Sequence, residues 1–233
     1  MSATQKSRGC WVVVPVKRLT EAKLRLAPVL NTTQRRSLML HLLKHTFNLL
    51  QLLLQQNAIV GFLVVSRDTT VLKLTQTYKG TALLEEVADK PPHERLNIAL
   101  AQAARWCSEE ADASALLLLP SDLPLLEIED LRALLGFLQL YPAQPLGVIA
   151  PDRHQKGTNA LLVSPPNLLD FNYHFGLESF AAHFTALCHE TARQTFICER
   201  PGLAFDLDLP EDLALLSATV RTALLEITPD CGS

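Results

Sequence analysis

Short apolar runs alternate with longer stretches in which leucines recur every third or fourth position, almost from one end of the chain to the other. That alternation predicts strands interleaved with covering helices, the pattern of an α/β protein with a mostly parallel sheet. Residues 11–16 are continuous and β-branched, as a central strand buried on both faces requires. Asn31 is followed three residues later by Gln34, and then by Leu38, Leu42, Thr46, Leu49 and Leu53 at helical spacing. This predicts a capped, long amphipathic helix. Residues 58–65 read as a second strand, Asp68 as the cap of a short helix stopping near Gly80, and Thr81–Leu84 as a third strand.

Further along, the pattern predicts a helix over 94–110 and an apolar strand over 115–119 that breaks sharply at Pro120-Ser121-Asp122-Leu123-Pro124. A helix over 127–140, strands over 146–150 and 159–163, a helix over 178–190 and a strand over 195–198 follow. The last predicted element is one helix over 209–225 with Pro210 in its first turn. Loops are of ordinary length and no repeat or linker interrupts them, so residues 1–233 read as a single domain.

Composition narrows the function. With 48% hydrophobic and 19% charged residues over 233 positions, the chain can bury one sizeable core, roughly 70% of its extended surface. A net charge of −3 without any basic stripe argues against nucleic-acid binding driven by phosphate neutralisation. Five scattered cysteines with no C-x-x-C pair suit a reducing compartment, so the expected location is the cytoplasm. The first residues lack a signal-length apolar core, and the leucine-rich stretch over 41–54 is broken by His, Lys, Asn and Gln, so no membrane span is expected.

In open parallel sheets ligands collect beyond the carboxyl ends of the strands. The residues there are polar: Lys17, Arg18, Lys23 and Arg25 after the first strand, Ser66, Arg67 and Asp68 after the second, Ser121 and Asp122 after the 115–119 run. Four cations between positions 17 and 25 suit a polyanion such as a triphosphate, although a solvated loop is the alternative. Both the P-loop and the dinucleotide glycine fingerprints are absent, so side-chain cations must replace glycine-rich backbone amides. Pro15, Lys17, Lys23, Ser66 and Ser121 are therefore candidate nucleotide contacts, with Lys17, Lys23 and Arg25 supplying fixed positive charge to the phosphates.

Asp206 and Asp208 are two apart, which in extended backbone aims both carboxylates to one face, and hard oxygen donors in that arrangement suit Mg²⁺. Asp122 adds a third ligand if the two segments are neighbours. The competing readings are a helix cap for Asp208 and a turn residue for Asp122. His41 and His45 read as helix-surface residues, and His183 and His189 have no cysteines at zinc-ligand spacing. No G-x-S-x-G elbow is present, which argues against a serine hydrolase.

The fragments Val14-Pro15-Val16-Lys17, Ala22-Lys23-Leu24-Arg25-Leu26-Ala27-Pro28 and Leu96-Asn97 occur in a distinctive order with Pro120-Ser121-Asp122-Leu123-Pro124-Leu125 and Asp152-Arg153-His154. Gly157-Thr158-Asn159-Ala160-Leu161, Pro201-Gly202-Leu203 and Asp206-Leu207-Asp208-Leu209-Pro210-Glu211-Asp212 complete the set. Over nearly the whole chain this order resembles the guanylyltransferases of deazaflavin coenzyme F-420 biosynthesis, the CofC/FbiD family. The resemblance implies the single-domain nucleotidyltransferase fold, similar to the nucleotide-diphospho-sugar transferases, with a mostly parallel mixed sheet flanked by helices. It also implies GTP as donor, Mg²⁺ as cofactor and a phosphorylated three-carbon acid as acceptor: 3-phospho-D-glycerate, phosphoenolpyruvate or 2-phospho-L-lactate.

By the same resemblance Asp122, Asp206 and Asp208 match metal-binding aspartates, Thr158, Gly176 and Ser179 match acceptor-binding positions, and guanine contacts fall near Asn97. Two departures stand out. Arg95 occupies a position where the family commonly has Gly, and Glu178-Ser179 stands where it often has Gly-Ser, which gives Glu178 a role in acceptor choice. The implied partners are small molecules, with no nucleic acid and no membrane, and exposed leucine on a helix offers a homodimer seam. The alternatives are a molybdopterin or sugar-phosphate nucleotidyltransferase, against which the Gly157-Thr158-Asn159-Ala160 loop argues, and a catalytically silent nucleotide-binding regulator, against which the three aspartates argue.

Overall fold

In a computed structural model describing residues 9–86, 90–142, 144–164, 172–189 and 193–225, the apolar runs become the strands of one sheet. These are β1 (Cys10–Val16), β2 (Gly61–Ser66), β3 (Thr81–Leu84), β4 (Ala115–Leu118), β5 (Leu146–Pro151), β6 (Thr158–Val163) and β7 (Gln194–Ile197). Their order is β3-β2-β1-β4-β6-β5-β7. Parallel pairing joins β3, β2, β1 and β4, and β7 with β5, whereas β6 runs antiparallel to both its neighbours. One reversed strand has a functional consequence: Thr158, the first residue of β6, lies at the same sheet edge as the carboxyl ends of the parallel strands.

Alternate side chains divide between the two faces, as a period of two demands. Val12, Val14, Phe62, Val64 and Leu117 pack with Leu38, Leu42, Leu50 and Leu53 of α1 (Thr32–Gln55) and with Leu131 and Leu134 of α4 (Ile128–Leu140). Val13, Leu63, Val65, Leu116 and Leu118 pack instead against Ala99, Leu100 and Ala103 of α3 (Pro92–Glu109), and Ile149 and Leu161 share that layer with Leu187 of α5 (Ser179–His189). Each fully buried leucine contributes roughly 1.5–3 kcal/mol, so the two layers hold the sheet from both sides. Among the described residues no helix is long and apolar enough to cross a membrane.

Local chemistry places the helix starts where the caps predict. Asn31 and Gln34 exchange side-chain and backbone hydrogen bonds at 2.9 Å, a complete capping box on α1. Asp68 accepts from Thr70 N and Val71 N at the start of α2 (Thr69–Thr77), and its other oxygen accepts from Leu19 N at 2.9 Å. That second bond fastens the basic loop after β1 to the end of β2. The helix stop is different from expectation: the left-handed residue is Lys79, at φ 56°, and Gly80 is needed because a Cβ there would meet the Phe62 ring at 2.2 Å.

Two further readings are corrected. His41 and His45 are half-buried rather than surface residues, their ring nitrogens meeting Leu224 O at 3.0 Å and Leu126 O at 2.8 Å. The helix expected over 209–225 is two, α7 (Pro210–Leu215) and α8 (Ala218–Leu225), because Leu216 turns extended and Ser217 starts a new helix by accepting from Val220 N. A short helix α6 (Pro201–Ala204), not foreseen, precedes them.

Gly202 in α6 sits against the rest of the fold: a Cβ would fall 2.5 Å from the Leu125 carbonyl oxygen and 2.0 Å from Asp130 Oδ2. The backbone contact has little room to yield. Gly202→Ala is expected to cost about 1–3 kcal/mol, read as a lower urea midpoint at unchanged slope.

Candidate active site

The loop after β1 turns at Lys23, whose φ of 52° is left-handed, and this kink opens a single 3-10 turn over Leu24–Leu26. The turn sends the Lys23 side chain inward, where 5% of it stays exposed. Its ammonium donates to Asp122 Oδ2 at 2.8 Å and to Asp208 Oδ1 at 2.7 Å. Asp122 comes from the proline-bounded break after β4. Asp208 comes from the segment between α6 and α7, which lies alongside because Leu207 N donates to Asp122 O at 3.1 Å. Leu207 is fully buried, so Asp206 and Asp208 face away from the core on the other side of that extended segment.

The helix-cap alternative for Asp208 does not hold. Asp212 caps α7 instead, accepting from Asp208 N at 2.8 Å and from Leu209 N at 2.6 Å and pairing with Arg153. The Asp208 carboxylate is thereby left for Lys23, with Arg25 3.7 Å from its second oxygen.

The electrostatics of the cluster are uneven. Burial alone would push the Lys23 ammonium down, but Asp122 and Asp208 outweigh it and hold the group above the ordinary lysine value. Asp208 is pulled below the usual carboxylate range: burial opposes ionisation, and Lys23, Arg25 and Lys17 overcome it. Asp206 goes the other way, raised first by burial and then by the like charge of Asp122, with Asp208 adding to it. One carboxylate of the three therefore lacks adequate positive compensation.

Among the described residues no three His, Cys, Asp or Glu side chains are arranged to hold a metal ion. The Lys23 ammonium occupies the space between Asp122 and Asp208. The donor chemistry nevertheless fits a hard divalent cation, because the oxygens are carboxylate and Asp206 carries an uncompensated negative environment.

Lys23, Asp122 and Asp208 stand at one end of a cleft of about 650 Å³, whereas Asp206 lies outside its lining. Pro15, Lys17, Lys23, Arg25 and Ser121 line it beside Asp122 and Asp208, while Arg67, Glu85 and Arg95 form part of its wall. Other expected contacts are placed differently. Ser66 is fully buried and its Oγ accepts from Asp68 N. Asn97 exchanges two hydrogen bonds with Phe175, at 3.0 and 2.9 Å, and so holds α3 to the 172–176 segment rather than lining the cleft.

Thr158 and Ser179 are brought together, Thr158 N donating to Ser179 Oγ at 2.9 Å, and both are buried outside the lining of the cleft. Behind them His183 accepts from His174 N at 3.0 Å through Nε2, and a backbone N–H only donates. Nδ1 therefore carries the proton and donates to Thr158 Oγ1 at 2.9 Å. Burial pushes the His183 pKa down to about 3, so the ring stays neutral. Gly176 lies nearby at φ 134°, and Glu178 at φ 52° occupies a left-handed position that favours glycine.

The sequence reading missed Glu85, although the rule of inspecting strand ends reaches it: it follows β3 directly. It also missed the Asp212 cap and the support that Asn159 gives to Asp206.

The family model described as guanylyl transferase CofC like matches residues 10–218. A phosphoenolpyruvate guanylyltransferase of Rubrobacter xylanophilus is 42% identical over 209 residues, covering 90% of this chain and 94% of that protein. A 3-phospho-D-glycerate guanylyltransferase of Colwellia psychrerythraea is 31% identical over 220 residues, covering 94% and 97%. Among solved structures, a putative nucleotide-diphospho-sugar transferase of Desulfovibrio desulfuricans superposes with a TM-score of 0.64 at 14% identity, covering 92% of this chain and 93% of that one. That last likeness establishes the fold: a nucleotide-diphospho-sugar transferase-like α/β domain.

A carboxyl whose folded pKa lies above its unfolded value holds its proton more tightly when folded, so ionisation above that pKa weighs against the fold. Asp206 is such a group. Asp206→Asn is expected to raise the urea midpoint at pH 7, and the gain is expected to vanish as the pH falls below the ordinary carboxylate range.

Proposed function

The chain belongs to the CofC-like guanylyl transferase family and is by that membership a nucleotidyltransferase, and we propose that it moves GMP from GTP onto the phosphate of phosphoenolpyruvate, releasing pyrophosphate, in coenzyme F-420 biosynthesis. The observation that carries the reading is the buried Lys23 ammonium joining Asp122 to Asp208 at the floor of a cleft whose mouth holds Lys17 and Arg25. 3-Phospho-D-glycerate is the second acceptor, favoured by the name of the Colwellia relative.

The attacking oxygen belongs to a phosphate and is already anionic at neutral pH, so no strong general base is required. The work falls to positioning and to charge neutralisation. Lys17 and Arg25 meet the triphosphate from the loop after β1, and Lys23 holds Asp122 and Asp208 gathered beneath it. Pro15 and Ser121 bound the same floor. A magnesium ion held by Asp122, Asp206 and Asp208 would offset the charge that builds as pyrophosphate leaves. The acceptor lies toward the half of the same sheet edge that carries Thr158, Gly176 and Ser179, where the neutral His183 fixes the Thr158 hydroxyl.

GTP offered with each of the three phospho-acids is expected to release pyrophosphate fastest with phosphoenolpyruvate. A chain that releases none with any of them, in magnesium, contradicts the reading. Asp208→Asn is expected to lower transfer at least about 100-fold while the far-ultraviolet circular dichroism is retained. Lys23→Ala is expected to weaken GTP binding at least about tenfold by calorimetry, since it removes a buried charge that orders the cleft floor.

A further inference from the structure

The cleft extends well past the aspartates, and its far wall is chemically distinct. Glu85 follows β3 and Arg67 follows β2, both at the carboxyl edge of the sheet, and Arg95 reaches the same wall from the first turn of α3. Val65, Leu96 and Ala99 supply the apolar lining beside them. From β4, whose end carries Asp122, to β3 there are three strand spacings, roughly 14 Å. That is the order of separation between the base and the triphosphate of an extended nucleotide, so a GTP whose phosphates meet the basic loop lays its base against this wall.

Glu85 is the less exposed of the two carboxylates lining the cleft away from the aspartates: 9% of its side chain is exposed, against 42% for Glu21. Arg67 Nε lies 3.4 Å from Glu85 Oε2, too loosely aligned to complete a hydrogen bond. Burial pushes the Glu85 carboxyl up in spite of the Arg67 and Arg95 guanidiniums, so these two cations do not fully offset the loss of water around it. Guanine presents an acceptor, O6, beside two donors, N1–H and the 2-amino group. Adenine, cytosine and uracil do not offer that order, and its complement is a guanidinium beside a carboxylate.

The geometry points to Glu85 as the residue that reads guanine, accepting from N1–H and the 2-amino group, with Arg95 donating to O6. The assignment rests on the guanylyl-transfer reading above and names the base contact within it. It moves that contact from Asn97, whose side chain is held by Phe175, to the end of β3. It also gives a use to Arg95, which lines the same wall from the first turn of α3. A largely buried carboxylate facing a base without donors is a source of discrimination, because the wrong ligand displaces water from it and offers no hydrogen bond beyond the Arg67 ion pair in return.

The test compares GTP with inosine triphosphate, which keeps O6 and N1–H and lacks only the 2-amino group. The wild-type chain is expected to prefer GTP at least about tenfold in kcat/KM. Glu85→Gln and Glu85→Ala are expected to lower GTP turnover and bring the ratio to within about threefold, whereas Arg95→Ala lowers both nucleotides alike and preserves the ratio. Equal use of the two nucleotides by the wild type overturns the assignment without any variant. So does an unchanged ratio in a Glu85 variant that keeps its urea midpoint. If the wild type transfers GMP to no acceptor, the functional reading fails by itself, and calorimetric binding of GTP against inosine triphosphate to the same wild-type and Glu85→Gln chains still decides the Glu85 contact by the same ratio.

Discussion

One buried ammonium ties this site to its fold. Lys23 leaves the loop after β1 and meets carboxylates from the break after β4 and from the segment between α6 and α7, three stretches far apart in sequence. Taking a lysine charge to 5% exposure is costly unless it is matched, and the two contacts at 2.8 and 2.7 Å match it. Removing one partner of such a pair typically costs about 3–5 kcal/mol because the other is left buried and unmatched. Smaller bonds then fix the approach of each stretch: Asp68 to Leu19 N, Leu207 N to Asp122 O, and Asp212 to Asp208 N. The cleft floor is thus fixed by hydrogen bonds to the backbone of each stretch as well as by the Lys23 ion pairs.

The reversed strand divides the sheet edge into two halves. β3, β2, β1 and β4 run in one direction and present the cationic loop, Arg67, Glu85 and Asp122 at their ends. β6 enters from that same edge, so its first residue, Thr158, stands where a parallel strand would present its last. A nucleotide and an acceptor can then lie along one edge without sharing a binding loop. The half that begins at Thr158 is stiffened from behind by the neutral His183, whose two nitrogens join β6 to the 172–176 segment.

The strands were legible because each is an apolar run of the right length, and Thr81–Leu84 has the observed bounds. The helix starts at Asn31 and Asp68 were legible because capping is local chemistry. The break at Leu216 was not, since a helical leucine period continues across it and only Ser217, one polar residue, marks the new start. The site was legible in outline for a related reason. Inspecting strand ends finds which residues stand at the edge but not which way they turn: Ser66 is turned back onto Asp68 N, Asn97 onto Phe175, and Glu85 into the cleft. Direction is set by packing with residues dozens of positions away, which no local pattern encodes.

The charge balance of the floor runs against the ligand it is proposed to hold. Asp122, Asp206 and Asp208 set three carboxylates against one buried cation, and Arg25, 71% exposed, is screened by water. A triphosphate brought there meets the three carboxylates as well as the cations, and the raised pKa of Asp206 comes first from its burial and then from the like charges of Asp122 and Asp208. A cluster serving stability alone would be better neutralised, because each uncompensated carboxylate weighs against folding at neutral pH. Retaining all three therefore places the cost at the one spot where an incoming cation and nucleotide would relieve it. The same logic assigns Lys23 and the proposed magnesium different tasks: the lysine holds the carboxylates where they are, and the ion offsets the charge that forms only during transfer.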